Sequence, residues 1–218
     1  MDSVKLNDGH SIPQVGLGLW QNTNKEDFTH VITSALEAGY RHFDTAQAYG
    51  NERLLGDALK QSSIPRSEIF ITTKISVTNF GEKRTARSFS KSLEHLQTDY
   101  VDLLLLHFPV TGLRKKSWLE LERIQKSGQT RSIGVSNYTV RHLEKLQEYA
   151  TVIPAVNQVE LHVFLQQHGL REFCKDAGIV IEAYSPLAHG KAMDDPVVQA
   201  IAKKHSKTYA QVMLRWAV

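Results

Sequence analysis

The sequence predicts an α/β fold in which a parallel barrel of strands is wrapped by helices. Three observations predict it. Short apolar runs alternate with amphipathic helical stretches along all 218 residues. The runs end near polar residues at 44, 74, 107 and 136, at intervals of 30, 33 and 29 residues, which suits consecutive βα units joined by right-handed crossovers. An open dinucleotide-binding sheet would carry G-x-G-x-x-G after its first strand. VGLGLWQN has two of those glycines but neither the third nor a helix start. The expectation is therefore a (β/α)8 TIM barrel.

Taken in order, VKLNDGHSI reads as an N-terminal β-hairpin, with Asn7, Asp8 and Gly9 supplying the turn. Strands are predicted at 15–19, 41–45, 69–74, 100–107, 131–136, 155–160 and 179–185. Helices are predicted at 25–39, 51–62, 83–96, 116–128, 139–150 and 166–178, with a last helical region at 195–218. In the first helix Phe28, Val31, Ile32, Ala35 and Leu36 follow the spacing of a half-buried face, and Gly39 supplies the stop. YVDLLLLH is a continuous apolar run, as expected of a strand covered on both faces. The count reaches seven strands, and the closing KTYAQVMLRWAV is helical, with Val212, Leu214 and Trp216 among its apolar residues. The expected architecture is thus one barrel domain over 1–218 that lacks strand eight and the last helix. Its two open edges would favour self-association.

Composition narrows the function classes. Hydrophobic residues at 41% and charged residues at 22% are ordinary for a globular protein. Net charge is +3, and the basic residues are scattered, with the densest spots at 114–116 and 203–204, so a nucleic-acid footprint is not expected. The N-terminus has no apolar targeting core, and no run approaches the roughly 18 residues a membrane helix needs. Cys174 is the sole cysteine, which excludes an intrachain disulfide and suits a reducing, cytoplasmic setting. LREFCKDAG places it on the inner face of a helix, a poor position for a nucleophile.

Four residues carry the chemistry: Asp44, Tyr49, Lys74 and His107. Three stand at the carboxyl ends of successive strands, so they face the one mouth where such barrels place their sites. Taken singly, an Asp before Thr reads as a helix cap, a strand-end Lys as a solvated charge and a His before Phe-Pro as a strand stop. Together with a Tyr they describe proton donation. A Lys74 ammonium beside the Tyr49 phenol is expected to lower its pKa from ~10, Asp44 to hold Lys74 cationic, and His107 to donate to a developing alkoxide. A hydrolase built on Asp44, His107 and His162 is a rival that no surrounding motif supports.

These motifs resemble the aldo-keto reductases across essentially the whole chain: DTAQAYGNERLLGDAL (44–59), TTK (72–74), TDYVDLLLLHFP (98–109), RSIGVSNY (131–138), PAVNQVELH (154–162), AYSPL (183–187) and KTYAQVMLRW (207–216). The resemblance implies NADPH-dependent reduction of an aldehyde or ketone, with Asp44, Tyr49, Lys74 and His107 as the catalytic tetrad. It implies that Ser136, Asn137 and Gln158 hold the nicotinamide carboxamide, that Tyr184 stacks under the ring, and that Ser185 and Leu187 line the pyrophosphate. Trp20, His107 and Phe108 would line the substrate mouth. Ser76 and Phe108 stand where many members carry Trp, which leaves substrate preference open. The family's IPKS-like segment and its 2′-phosphate grip have no counterpart in 1–218. Weak cofactor binding is expected on that ground, and an impaired barrel serving as a binding or structural protein is the alternative function.

Overall fold

The computed structural model describes residues 2–191 and 193–218. Strands β1 (Ser3–Lys5) and β2 (Ser11–Pro13) pair antiparallel as the expected hairpin. Seven parallel strands follow in sequential order: β3 (Leu17–Gly18), β4 (His42–Asp44), β5 (Phe70–Ile75), β6 (Val101–Leu106), β7 (Thr130–Ser136), β8 (Val156–Glu160) and β9 (Val180–Tyr184). The helices are α1 (Lys25–Glu37), α2 (Glu52–Gln61), α3 (Glu82–Leu96), α4 (Arg114–Lys126), α5 (Val140–Gln147), α6 (His168–Asp176), α7 (Pro196–Lys204) and α8 (Tyr209–Ala217).

Strand order equal to sequence order, with helical crossovers, curls the sheet into a nearly closed barrel. Among the described residues β3 and β9 are its two edges, and both border one cavity of about 420 Å³. The expected first strand, 15–19, shrinks to two residues. As an edge it pairs only with β4, through Leu17 with Phe43 and Gly18 with Asp44. The last helical region is two helices rather than one. Ser206 turns left-handed (φ 52), and Thr208 with Gln211 forms a capping box that starts α8 afresh. Of the apolar residues expected to mark α8, Leu214 and Trp216 are exposed and Val212 is half-buried, while the fully buried residue is Met213, which the sequence did not single out.

Alternation along β6 explains its continuous apolar run. Leu104 and Leu106 pack outward with Phe89, Trp118 and Ile133, whereas Leu103 and Leu105 point inward. The inner pair meets Leu6 and Ile12 from the hairpin, together with Phe70 and Val156, so the hairpin plugs the amino-terminal end of the barrel. An ionic tie closes the same end. Asp102, 2% exposed, accepts from Arg66 (2.8 Å) and the Ile71 backbone N–H (3.0 Å), and Arg131 lies 3.2 Å from its other oxygen. Both guanidiniums stack on the Tyr100 ring, at 4.1 and 4.5 Å.

Close packing of α2 on α3 depends on Gly56. A Cβ there would lie 2.4 Å from the His95 carbonyl oxygen, a contact no side chain tolerates. Cys174 is fully buried on α6, and burial pushes its thiol up to about 11, which keeps it protonated and unreactive.

Candidate active site

The carboxyl ends of β4, β5 and β6 bring the four predicted residues to one place. Asp44 closes β4, Lys74 is the penultimate residue of β5, and His107 follows β6 directly. Tyr49 arrives on a short 3-10 turn, Gln47–Tyr49, that leaves β4 and leads into α2. Asn51 anchors that turn: its amide donates to the carbonyls of Leu19 (2.8 Å) and Asn22 (2.9 Å) and accepts from Thr45 (2.6 Å).

Lys74 is the centre of the site. Its side chain is 1% exposed, and its ammonium donates to Asp44 Oδ1, to the Thr45 carbonyl (3.1 Å) and to the Tyr49 hydroxyl (3.2 Å). All three donor positions are therefore used, the condition under which a buried ammonium stays charged. Burial alone would lower its pKa, but Asp44 and Tyr49 outweigh burial and hold it above the ordinary lysine value.

The Tyr49 phenol departs from expectation. Its pKa is raised rather than lowered, because burial outweighs the opposing pull of Lys74. The phenol thus stays protonated through the neutral range, with a cation hydrogen-bonded to the oxygen that would carry its charge. His107 lies edge-on to the Tyr49 ring, centroids 5.7 Å apart, and burial and then Lys74 push its pKa down to about 4. It is a neutral imidazole at physiological pH, which suffices for a hydrogen-bond donor.

Beside the tetrad runs a second polar network. The Tyr184 hydroxyl donates to Asn137 Oδ1 (2.8 Å), and the Asn137 amide donates to Ser136 Oγ (3.0 Å) and to the His107 carbonyl (3.1 Å). Ser136 Oγ donates to the Gln158 carbonyl (2.9 Å), and the Gln158 amide reaches Asp44 Oδ2 at 2.7 Å. Gln158 therefore holds the free oxygen of the carboxylate that Lys74 holds by the other, a tie across 114 residues that the sequence did not announce. Ser185 and Leu187 stand just past β9. The backbone is left-handed at Ser185 (φ 49) and Ala188 (φ 50), and the Ala188 N–H donates to the Ser185 carbonyl (2.9 Å), closing a tight turn. Leu187 is fixed from behind by Tyr209 of α8, whose hydroxyl donates to its carbonyl (2.8 Å). Amide, hydroxyl and aromatic groups gathered along one rim are a donor set that fits a nicotinamide dinucleotide.

The expected mouth residues are on the rim. Trp20 and Phe108 are 57% and 47% exposed; Phe108 stacks on His107 at 5.4 Å, and Trp20 meets His189 edge-on at 6.3 Å. His162 stands apart from the tetrad's hydrogen bonds and faces Glu160 at 3.3 Å. A buried histidine and a half-buried glutamate escaped notice in the sequence. His42 on β4 bonds Thr72 (2.9 Å) and lies 3.9 Å from Glu182 on β9, both beside the 420 Å³ cavity. Burial takes His42 down to about 4 and Glu182 up to about 7.

Comparison with known proteins identifies the family and the fold. Residues 14–218 match the Aldo/keto reductase family. A Bacillus subtilis protein named glyoxal reductase is 46% identical over 215 residues, covering 99% of this chain and 78% of the relative. An Escherichia coli O157:H7 protein named methylglyoxal reductase DkgA is 43% identical over 217 residues, covering 98% and 78%. The crystal structure of an aldo/keto reductase from Brucella melitensis superposes with a TM-score of 0.95 at 45% identity, over 99% of this chain and 83% of that one. An aldo-keto reductase complexed with NADPH superposes with a TM-score of 0.92 at 30% identity, over 98% and 74%. With a family match over most of its length and relatives this similar, the chain belongs to the aldo-keto reductase family.

Proposed function

We propose that this protein reduces a small aldehyde or ketone to the alcohol, with Tyr49 as general acid and NADPH as hydride donor. The observation that carries the reading is the Tyr49 hydroxyl held at 3.2 Å by the Lys74 ammonium, itself ion-paired to Asp44. When bound, the reduced nicotinamide supplies the hydride that reaches the carbonyl carbon. Tyr49 gives its phenolic proton to the carbonyl oxygen as negative charge develops there. Lys74 stabilises the phenolate left behind, and Asp44 with Gln158 keeps Lys74 in place and charged. Neutral His107 donates to the same oxygen and fixes which carbonyl lone pair meets Tyr49. Ser136, Asn137 and Gln158 would orient the carboxamide, Tyr184 would stack on the ring, and Ser185 and Leu187 would lie along the pyrophosphate. Trp20, His107 and Phe108 would shape the substrate mouth.

NADPH is favoured over other donors by the NADPH complex of the structural neighbour. Small carbonyls, dicarbonyls among them, are favoured by the names of the relatives. A single domain over 1–218 and a reducing cytoplasmic setting complete the reading. The test is Tyr49→Phe, assayed by NADPH oxidation with methylglyoxal at saturating cofactor. Turnover is expected to fall by at least a hundredfold, the lower range of general-acid contributions being about 10². Unchanged turnover in a folded variant would remove Tyr49 from the acid role.

A further inference from the structure

Outside the barrel, behind the turn that carries Tyr49, lies a groove of about 600 Å³ between α2 and α3. It is separate from the mouth that holds the tetrad. Arg53 projects into it from α2, and Arg84, Arg87 and Lys91 from α3, where positions 84, 87 and 91 share one helical face. Arg53 has a single loose ion pair, 3.9 Å from an exposed Glu94, and such pairs contribute little. Arg84, Arg87 and Lys91 have no carboxylate within 4.0 Å among the described residues. Three other arginines of the chain are committed to carboxylates: Arg66 and Arg131 to Asp102, and Arg123 to Glu82 and Glu120. The one acid lining the groove, Glu52, is 5% exposed; burial raises its pKa, and Thr73 donates to it at 2.6 Å. Four cations thus surround a concave surface whose nearby carboxylates are Glu52, turned inward onto Thr73, and Glu94, loosely paired with Arg53.

We propose that this groove binds a small phosphate-bearing anion, and that its occupancy is felt by the Tyr49 turn. Phosphate suits the arrangement because one group presents three strong acceptor oxygens, enough to meet guanidiniums from two helices at once. The link to the turn is Gln47, which lines the groove and begins the 3-10 helix that ends at Tyr49. Its amide donates to Ser92 on α3 (3.0 Å), and its carbonyl accepts from the Ser76 N–H and from Asn79 (both 2.9 Å). Ser76 follows β5 two residues after Lys74, so one side chain ties the groove to the chain segments bearing both residues. Any effect on turnover rests on the reductase reading, whereas binding itself does not.

Calorimetric titration of the full chain with inorganic pyrophosphate tests the site. Saturable binding is expected, with a component that depends on the groove cations and is distinct from any uptake at the rim beside Ser185 and Leu187. Arg87→Glu with Lys91→Glu should weaken it at least tenfold, and Lys203→Glu with Lys204→Glu, an equal charge reversal on exposed α7, should leave it within twofold. Orthophosphate and a sugar phosphate, run as parallel arms, distinguish a free anion from a phosphorylated metabolite. Hydrogen exchange should slow at residues 46–50 on pyrophosphate addition. Equal binding by the groove variant would overturn the proposal, as would equal loss in the α7 variant, absence of binding at millimolar pyrophosphate, or tighter binding of citrate. Binding without altered exchange at 46–50 would overturn the link to Tyr49. None of these readouts requires carbonyl reduction, so Tyr49→Phe and this titration fail independently.

Discussion

Replacing Lys74 by methionine keeps the length of the side chain and removes its charge. Three hydrogen bonds vanish, to Asp44, the Thr45 carbonyl and Tyr49, in a pocket where the lysine side chain is 1% exposed. Asp44, 12% exposed at its side chain, keeps one donor, Gln158 at 2.7 Å, and loses its counter-charge. Breaking a buried pair from one side costs about 3–5 kcal/mol, because the remaining charge is left uncompensated. Converting that remaining carboxylate to the neutral amide, Asp44→Asn with Lys74→Met, removes the stranded charge and should recover about half of the loss. The assay is urea denaturation at pH 7 followed by circular dichroism, arranged as a double-mutant cycle. The coupling energy between the two positions is the recovered part plus the cost of Asp44→Asn alone, so at least about 2 kcal/mol is expected. A Lys74→Met variant within 1 kcal/mol of wild type, or a double variant whose loss is the sum of the single losses, would refute Lys74 and Asp44 as an interdependent buried pair.

Other outcomes follow from groups described above. His42 is 2% exposed with a pKa of about 4 against an ordinary 6.5, so the unfolded chain takes up its proton first as pH falls. The stability it contributes is full above pH 6.5 and is lost on descent to about 4, a loss of about 3 kcal/mol. Denaturation of His42→Gln at pH 7.5 and 4.5 should show a correspondingly smaller acid loss than wild type; equal losses would place the acid sensitivity elsewhere. Glu182 works in the opposite sense, its stabilising protonation fading as pH rises toward 7, so the wild-type profile is shallower than His42 alone would give. Gly56→Ala should destabilise by about 2 kcal/mol, since its methyl would meet the His95 carbonyl at 2.4 Å, and a thermal melt reads it directly.

Much of this was legible in the sequence because barrel strands alternate with helices at a regular spacing and end on polar residues. Asp44, Lys74 and His107 could be aligned from their intervals alone, since parallel strands bring their carboxyl ends to one rim. What escaped was set by three-dimensional proximity without periodicity. Gln158 touches Asp44 from 114 residues away, and nothing local marks its side chain as facing inward. Gln47 reads as a loop residue until α3 packs beside it. His42 and Glu182 meet only because β4 and β9 curl toward one another across the cavity. The direction of the Tyr49 shift escaped for another reason: charge can be read from a sequence, but the depth of burial opposing it cannot.

The Asp102 tie at the amino-terminal end of the barrel has a consequence for how this protein can change. Arg66, Arg131, Tyr100 and the Ile71 amide converge there, far along the strands from the tetrad. One source of cohesion thus sits at the pole opposite the tetrad, beside the separate buried pair that Lys74 and Asp44 make. Rim positions such as Trp20, Phe108 and Ser76 carry little of the cohesion, so they are free to drift in descendants or in directed evolution. A library varied at that rim, with the Asp102 pole left intact, should stay folded while the shape of the mouth changes.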